Sequence, residues 1–269
     1  MAIYDLCTLA DVKAWLGRSD ANSDAVLASL ITRTSRQIQS YLRRGLLLPR
    51  SVTELRDGTG GTTLVLRQWP VVSLASLAIG RETILPRAAP GAAGWALEPW
   101  DGVPPGRAQT LSLAGHCFVR RALNVEIVYR AGYQVTAEAQ TVANSGATVL
   151  EPYGDWASDG GVTYADGTPL VAVTGAPQAG QYQLTPNAPG SYTFNAGDNG
   201  AAVRITYGFV PADLADACIE LVSERFRYLQ RIGERTHSLG GNETVSFDPT
   251  RFTPLVVSLL QPYRHVLPI

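Results

Sequence analysis

Three histidines and three cysteines are the first residues to examine for chemistry. His116, His237 and His265 stand far apart, and none has the H-x-x-x-H or H-E-x-x-H spacing that puts two imidazoles on one helix face. Cys7, Cys117 and Cys218 are odd in number, widely spaced and without a C-x-x-C. That argues against a disulfide framework and against a zinc site, and the three read as small packing residues. His116 beside Cys117 could suggest an activated thiol, but neighbours on a strand point to opposite faces. Asp155, Asp159 and Asp166 crowd a turn-rich stretch without the alternating loop that wraps calcium, so they read as solvated turn acids. No G-x-S-x-G, P-loop or G-x-G-x-x-G occurs. The expectation is a protein with no enzymatic activity, no cofactor and no metal.

Arginine is abundant. Lys13 is the only lysine among 22 basic residues. Guanidinium forks suit protein interfaces, though the same skew can come from a GC-rich genome. The near-zero net charge of −1 hides an uneven distribution. No Lys or Arg occurs from Ala131 to Val203, a stretch with net charge −6, while the remainder carries +5. We read 131–203 as a β-rich domain inserted into a discontinuous core formed by 1–130 and 204–269. No segment approaches the roughly 20 apolar residues that span a bilayer. Met1–Asp11 has no basic run ahead of an apolar core, so no secretory leader is expected.

The periodicities supply the elements. Thr8 caps a short helix that Gly17 ends. A long helix runs from about Ser23 to Arg44, with Val26, Leu27, Leu30, Ile31, Ile38, Tyr41 and Leu42 on one face. Pro211 opens another, with Leu214, Ala217, Cys218, Leu221, Val222, Phe226 and Leu229 inward, and Thr253-Pro254 opens a last short one. Between them, alternation and turn residues mark strands: a hairpin around Asp57–Gly61, a run over Val71–Ile79, and Val119–Arg130. Within 131–203, Val162–Tyr164, Leu170–Val173, Gln181–Leu184, Ser191–Phe194 and Ala202–Tyr207 suggest a small sandwich. Val125-Glu126-Ile127-Val128-Tyr129 resembles Val203-Arg204-Ile205-Thr206-Tyr207, either an internal echo or a common strand pattern. The fold class is α+β: an α-helical bundle with a small β-part and an inserted all-β domain.

Thr8–Gly17 followed by Leu30–Leu42, then Tyr207-Gly208-Phe209-Val210-Pro211-Ala212-Asp213-Leu214 and Leu259-Leu260-Gln261-Pro262-Tyr263-Arg264, resemble the head-to-tail adaptor (connector) family of tailed bacteriophages. The likeness covers about 1–80 and 203–265. It implies a virion neck protein, made in the host cytoplasm, that joins the portal protein to a stopper or tail-completion protein. It also implies a ring, usually of twelve copies, through which double-stranded DNA passes without sequence-specific binding, and no membrane partner. By motif match, portal docking would fall on Pro262, Tyr263, Arg264, His265, Val266 and Leu267. The alternative is that this tail packs on its own domain. Arg33, Arg36, Arg43, Arg44, Arg225 and Arg227 on the two long helices are the candidate subunit-interface residues. A different class of function is a carbohydrate-binding or neck-decorating role for 131–203, with Tyr153, Trp156, Tyr164, Tyr182 and Tyr192 as platforms or, alternatively, as core.

Overall fold

The computed structural model describes residues 5–45, 47–98, 103–186, 188–229, 236–239, 243–246 and 252–265. The chain forms two compact units. One is made by 46–210; the other joins 1–45 to 211–269.

The 46–210 unit begins with seven strands: β1 (Arg50–Gly58), β2 (Thr63–Val65), β3 (Val71–Ile79), β4 (Glu82–Thr83), β5 (Gly94–Glu98), β6 (Thr110–Ala114) and β7 (Arg121–Ala131). They make two antiparallel sheets, ordered β1-β7-β3-β4 and β2-β6-β5. Strand β7 shows why. Val125, Ile127, Tyr129 and Ala131 alternate inward and are buried, while Glu126 faces out. They pack with Leu64, Leu66, Leu77, Leu111 and Phe118 into one apolar core. Gln109 supports that core from its edge, its side-chain oxygen accepting the Val71 amide at 2.5 Å.

A second set follows: β8 (Gln134–Thr141), β9 (Gly146–Thr148), β10 (Trp156–Tyr164), β11 (Val171–Ala172), β12 (Gln181–Leu184), β13 (Ser191–Phe194) and β14 (Ala202–Phe209). Its sheets are β10-β14-β8 and β11-β12-β13-β9. This is the first set repeated. Strand β3 meets β7 as Val71↔Ala131, Ser73↔Arg130, Leu74↔Tyr129, Ser76↔Val128 and Leu77↔Ile127. Strand β10 meets β14 as Trp156↔Phe209, Ser158↔Gly208, Asp159↔Tyr207, Gly161↔Thr206 and Val162↔Ile205. Both pairings carry two irregularities at corresponding places. Glu54↔Ile127 corresponds to Glu138↔Ile205, and Leu64↔Leu111 to Ala147↔Tyr192. The parallel bridge Pro86↔Trp95 corresponds to Ala172↔Tyr182. Loop hydrogen bonds recur as well: Leu66 N to Gln109 O matches Val149 N to Gly190 O, and Ile84 N to Leu77 O matches Leu170 N to Val162 O. The Val-x-Ile-x-Tyr echo is therefore the central strand of each of two tandem β modules.

In the other unit, α1 (Leu9–Leu16) starts at a capping box formed by Thr8 and Asp11 and ends at Gly17 in the left-handed conformation. Helix α2 (Asp24–Leu42) buries Leu27, Ile31, Ile38 and Leu42. Helix α3 (Ala212–Leu229) buries Leu214, Ala217, Cys218, Leu221, Val222 and Phe226. The two are joined where Arg225 donates to Thr34 Oγ1 at 3.1 Å and to Gln37. The hydroxyl of Ser35 touches the Cys218 sulfur at 3.5 Å and accepts the Leu6 amide at 3.0 Å. Strands β15 (Thr236–Leu239) and β16 (Glu243–Ser246) pair with each other, and α4 (Pro254–Leu260) closes the unit under a Thr253 cap.

The α+β class holds, but the expected helical bundle as the body of the molecule is corrected: the protein is rich in sheet. Residues 50–131, expected to add only a small β-part, form a complete two-sheet module because their inward residues alternate along nearly every strand. The charge discontinuities at 131 and 203 differ from the unit boundaries at 45/46 and 210/211. The first falls at the join of the two modules and the second inside β14. The Gly- and Pro-rich sequence after Pro86 nevertheless contains β5.

Candidate functional site

Most carboxylates of 131–203 have internal partners. Glu138 accepts the Tyr207 hydroxyl at 2.8 Å, and its other oxygen accepts the Leu150 amide at 2.8 Å. The first module has the same device: Glu54 accepts the Tyr129 hydroxyl and, at 3.0 Å, the Arg67 amide. In both modules a glutamate on the edge strand bridges to the backbone just beyond the next strand (β2 or β9). It thereby supplies a polar link where no ladder runs. Burial, and next the adjoining carboxylate, push the Tyr129 and Tyr207 phenols well above their ordinary value.

Asp159 lies at the centre of a network found in the second module alone. It accepts the Tyr182 hydroxyl at 2.6 Å, the Tyr192 hydroxyl at 3.3 Å and the Gly161 amide at 3.1 Å. The Trp156 indole donates to the Tyr192 oxygen at 3.0 Å. Asp198 accepts the Tyr164 hydroxyl at 2.7 Å. Tyr182 and Tyr192 are buried, which removes their faces as platforms; Tyr153 is exposed at its edge and lies 5.8 Å from the Phe209 ring. Among the described residues, no group of three or more His, Cys, Asp or Glu is placed to hold a metal ion.

The candidate docking and interface residues separate into three groups. Arg33, Arg36 and Arg227 are exposed on α2 and α3. Arg225 is spent on the α2–α3 link. The third group is brought together at the C-terminal end of α2. There the Tyr263 hydroxyl donates to Asp213 at 3.0 Å, and its ring is buried. The His265 amide donates to the Leu42 carbonyl at 2.8 Å, satisfying one of the helix's orphan acceptors. The Arg264 guanidinium lies over the Tyr41 ring at 5.3 Å, and Phe252 meets that ring edge-on at 5.0 Å. Burial, then Arg44 and Arg43, hold the His265 imidazole below its ordinary value. Arg44 is buried, while Arg43, Pro262 and Arg264 are exposed. The tail thus packs against its own helices through Tyr263 and presents Pro262, Arg264 and Arg43 outward. Val266 and Leu267 lie outside the described residues. The tie between Tyr263 and Asp213 has no local sequence signal, because 50 residues separate the partners.

No family model matches the chain, and no curated protein matches it. Among solved structures it is similar to a chain in the virion of a native gene transfer agent (GTA) particle, with TM-score 0.42 and 15% identity over 98% of this chain and 92% of that one. It is also similar to chains in the neck of the empty GTA particle computed with C6 symmetry (TM-score 0.35, 14% identity, 98% and 92% covered) and in the neck of the native particle computed with C12 symmetry (TM-score 0.36, 14% identity, 98% and 91% covered).

Proposed function

We propose that the protein is a structural protein of a phage-like virion neck. In this reading it is a head-to-tail adaptor that forms a ring between the portal and a stopper or tail-completion protein, works by binding and has no enzymatic activity. One observation carries this reading. The motifs Thr8–Gly17 and Leu30–Leu42 near one end of the chain, and Pro211–Leu214 and Leu259–Arg264 near the other, resemble adaptors and all fall in the one unit made by 1–45 and 211–269. The β modules occupy the interval between two halves of that unit. The helical unit also leaves Trp15 61% and Leu255 59% exposed. A tryptophan displayed to this degree suits contact with another chain.

In this reading the exposed arginines around the end of α2, with Pro262, meet the portal. The test is co-purification of the full chain with the portal protein of its own particle. The variant Arg43→Glu/Arg264→Glu changes two exposed side chains and leaves Tyr263 in place. It should keep the far-ultraviolet circular dichroism of the parent and lose portal binding at least tenfold. Unchanged portal binding by this variant would remove the docking assignment. A parent chain that neither binds portal nor self-associates would remove the adaptor reading.

A further inference from the structure

The duplicated modules differ in charge. Residues 46–133 hold nine arginines and six acidic residues, net +3; residues 134–210 hold one arginine and six acidic residues, net −5. The opposition reaches one particular turn. Strands β3 and β10 run in the same register against their central strands and end at Ile79 and Tyr164. Two residues further on stand Arg81 in the first module and Asp166 in the second, both exposed. Asp166 accepts the Thr168 amide at 2.8 Å, which fixes its carboxylate in the turn. Neither residue has an ion-pair partner among the described residues. Exposed Arg120 and Arg121 add positive charge to the first module, offset in part by exposed Glu82 beside Arg81.

We propose that neighbouring copies of this chain meet through these two modules, the Arg81 turn of one copy against the Asp166 turn of the next. The proposal rests on the ring reading above. A closed ring needs a heterologous contact, in which one surface of a subunit meets a different surface of its neighbour. A chain with two copies of one fold and opposite charge has two such surfaces ready-made. Matching like turns instead would set Arg81 against Arg81 and Asp166 against Asp166. Electrostatic complementarity of this kind selects the partner and the register, and weakens with salt.

The test uses the full chain and three variants: Arg81→Asp, Asp166→Arg, and the two combined. Sedimentation velocity over a concentration series reads self-association, and co-purification reads portal binding. Both positions are exposed turn residues, and unchanged circular dichroism checks the fold. Each single reversal should weaken self-association by about fivefold or more, since like charges then face each other at every contact of the ring. The combined variant should return to within about twofold of the parent, the signature of a direct pair. Singles that associate like the parent, or a combined variant no better than the singles, overturn the proposed contact while the adaptor reading stands. A parent that neither associates nor binds portal overturns both.

Discussion

Opposite the central tyrosine of the first module stands Leu74; opposite the central tyrosine of the second stands Asp159. The neighbours change with it. Val71, Trp95 and Leu111 of the first module correspond to Trp156, Tyr182 and Tyr192 of the second. One scaffold is thus filled in two ways, with apolar packing in one copy and a carboxylate gathering tyrosine hydroxyls in the other. What the copies keep is the register, the two irregularities in β3 and β10, and the Glu–Tyr bridge. The difference teaches that strand register and the Glu–Tyr bridge specify this module, and that its interior tolerates either apolar packing or a hydrogen-bonded carboxylate.

The sharpest way to break that comparison is to remove the bridge from each copy. Glu54→Ala leaves the buried Tyr129 hydroxyl and the Arg67 amide without an acceptor and should cost about 3 kcal/mol, whereas the half-buried Glu138 should cost about 2 kcal/mol when replaced the same way. Urea unfolding of both variants checks this. Equal, near-zero losses would mean that the bridge is incidental to the module. Next in size is Asp159→Leu, which makes the second interior resemble the first at that site. It should still destabilise by about 1–2 kcal/mol, because Tyr182 and Tyr192 lose their acceptor. A gain in thermal midpoint would show that the polar network is dispensable.

Alkaline titration probes the second module more gently. Tyr164, Tyr182, Tyr192 and Tyr207 of the second module have raised phenol values, and so does Tyr129 of the first. The unfolded chain then releases these protons first, so their stabilisation is complete below about pH 10 and is lost as pH rises beyond it. Hydrogen exchange above about pH 10 should show the second module opening more readily than at neutral pH. The smallest effect is expected outside both modules. Burial, then Arg44 and Arg43, hold the His265 imidazole below its ordinary value, so the unfolded chain takes up its proton first as pH falls. The helical unit should weaken slightly below about pH 6.5, and His265→Asn should flatten that slope in thermal melts.

The helices were legible because caps and a 3.6-residue period are local signals: Thr8 with Asp11, Gly17, and Thr253 with Pro254 all sit where the spacing puts them. The second module's strands were largely legible too. The duplication showed in the sequence only at Val125–Tyr129 and Val203–Tyr207. Elsewhere the copies share backbone pairing and not residue type, so that Leu74 and Asp159 give no sign of equivalence. The C-terminal residues were legible as a group of interest. That Tyr263 turns inward depends on Asp213 and the end of α2, which only the folded chain brings near. The acidic character of 131–203 was plain, but its use for internal tyrosine acceptors was not, since composition does not reveal which carboxylates face inward.

Leu47 O accepts the Tyr133 amide, and Tyr133 O accepts the Phe209 amide. The start of the first module, the join between modules and the end of the second are therefore fastened at one spot. Each module is a detour that returns to its origin. A chain built this way can gain or lose a whole module without moving the two points at which the sheet-bearing stretch departs from the helical sequence and rejoins it. Across relatives of this protein, length should then change by steps of one module, with the helical sequence on either side unaltered.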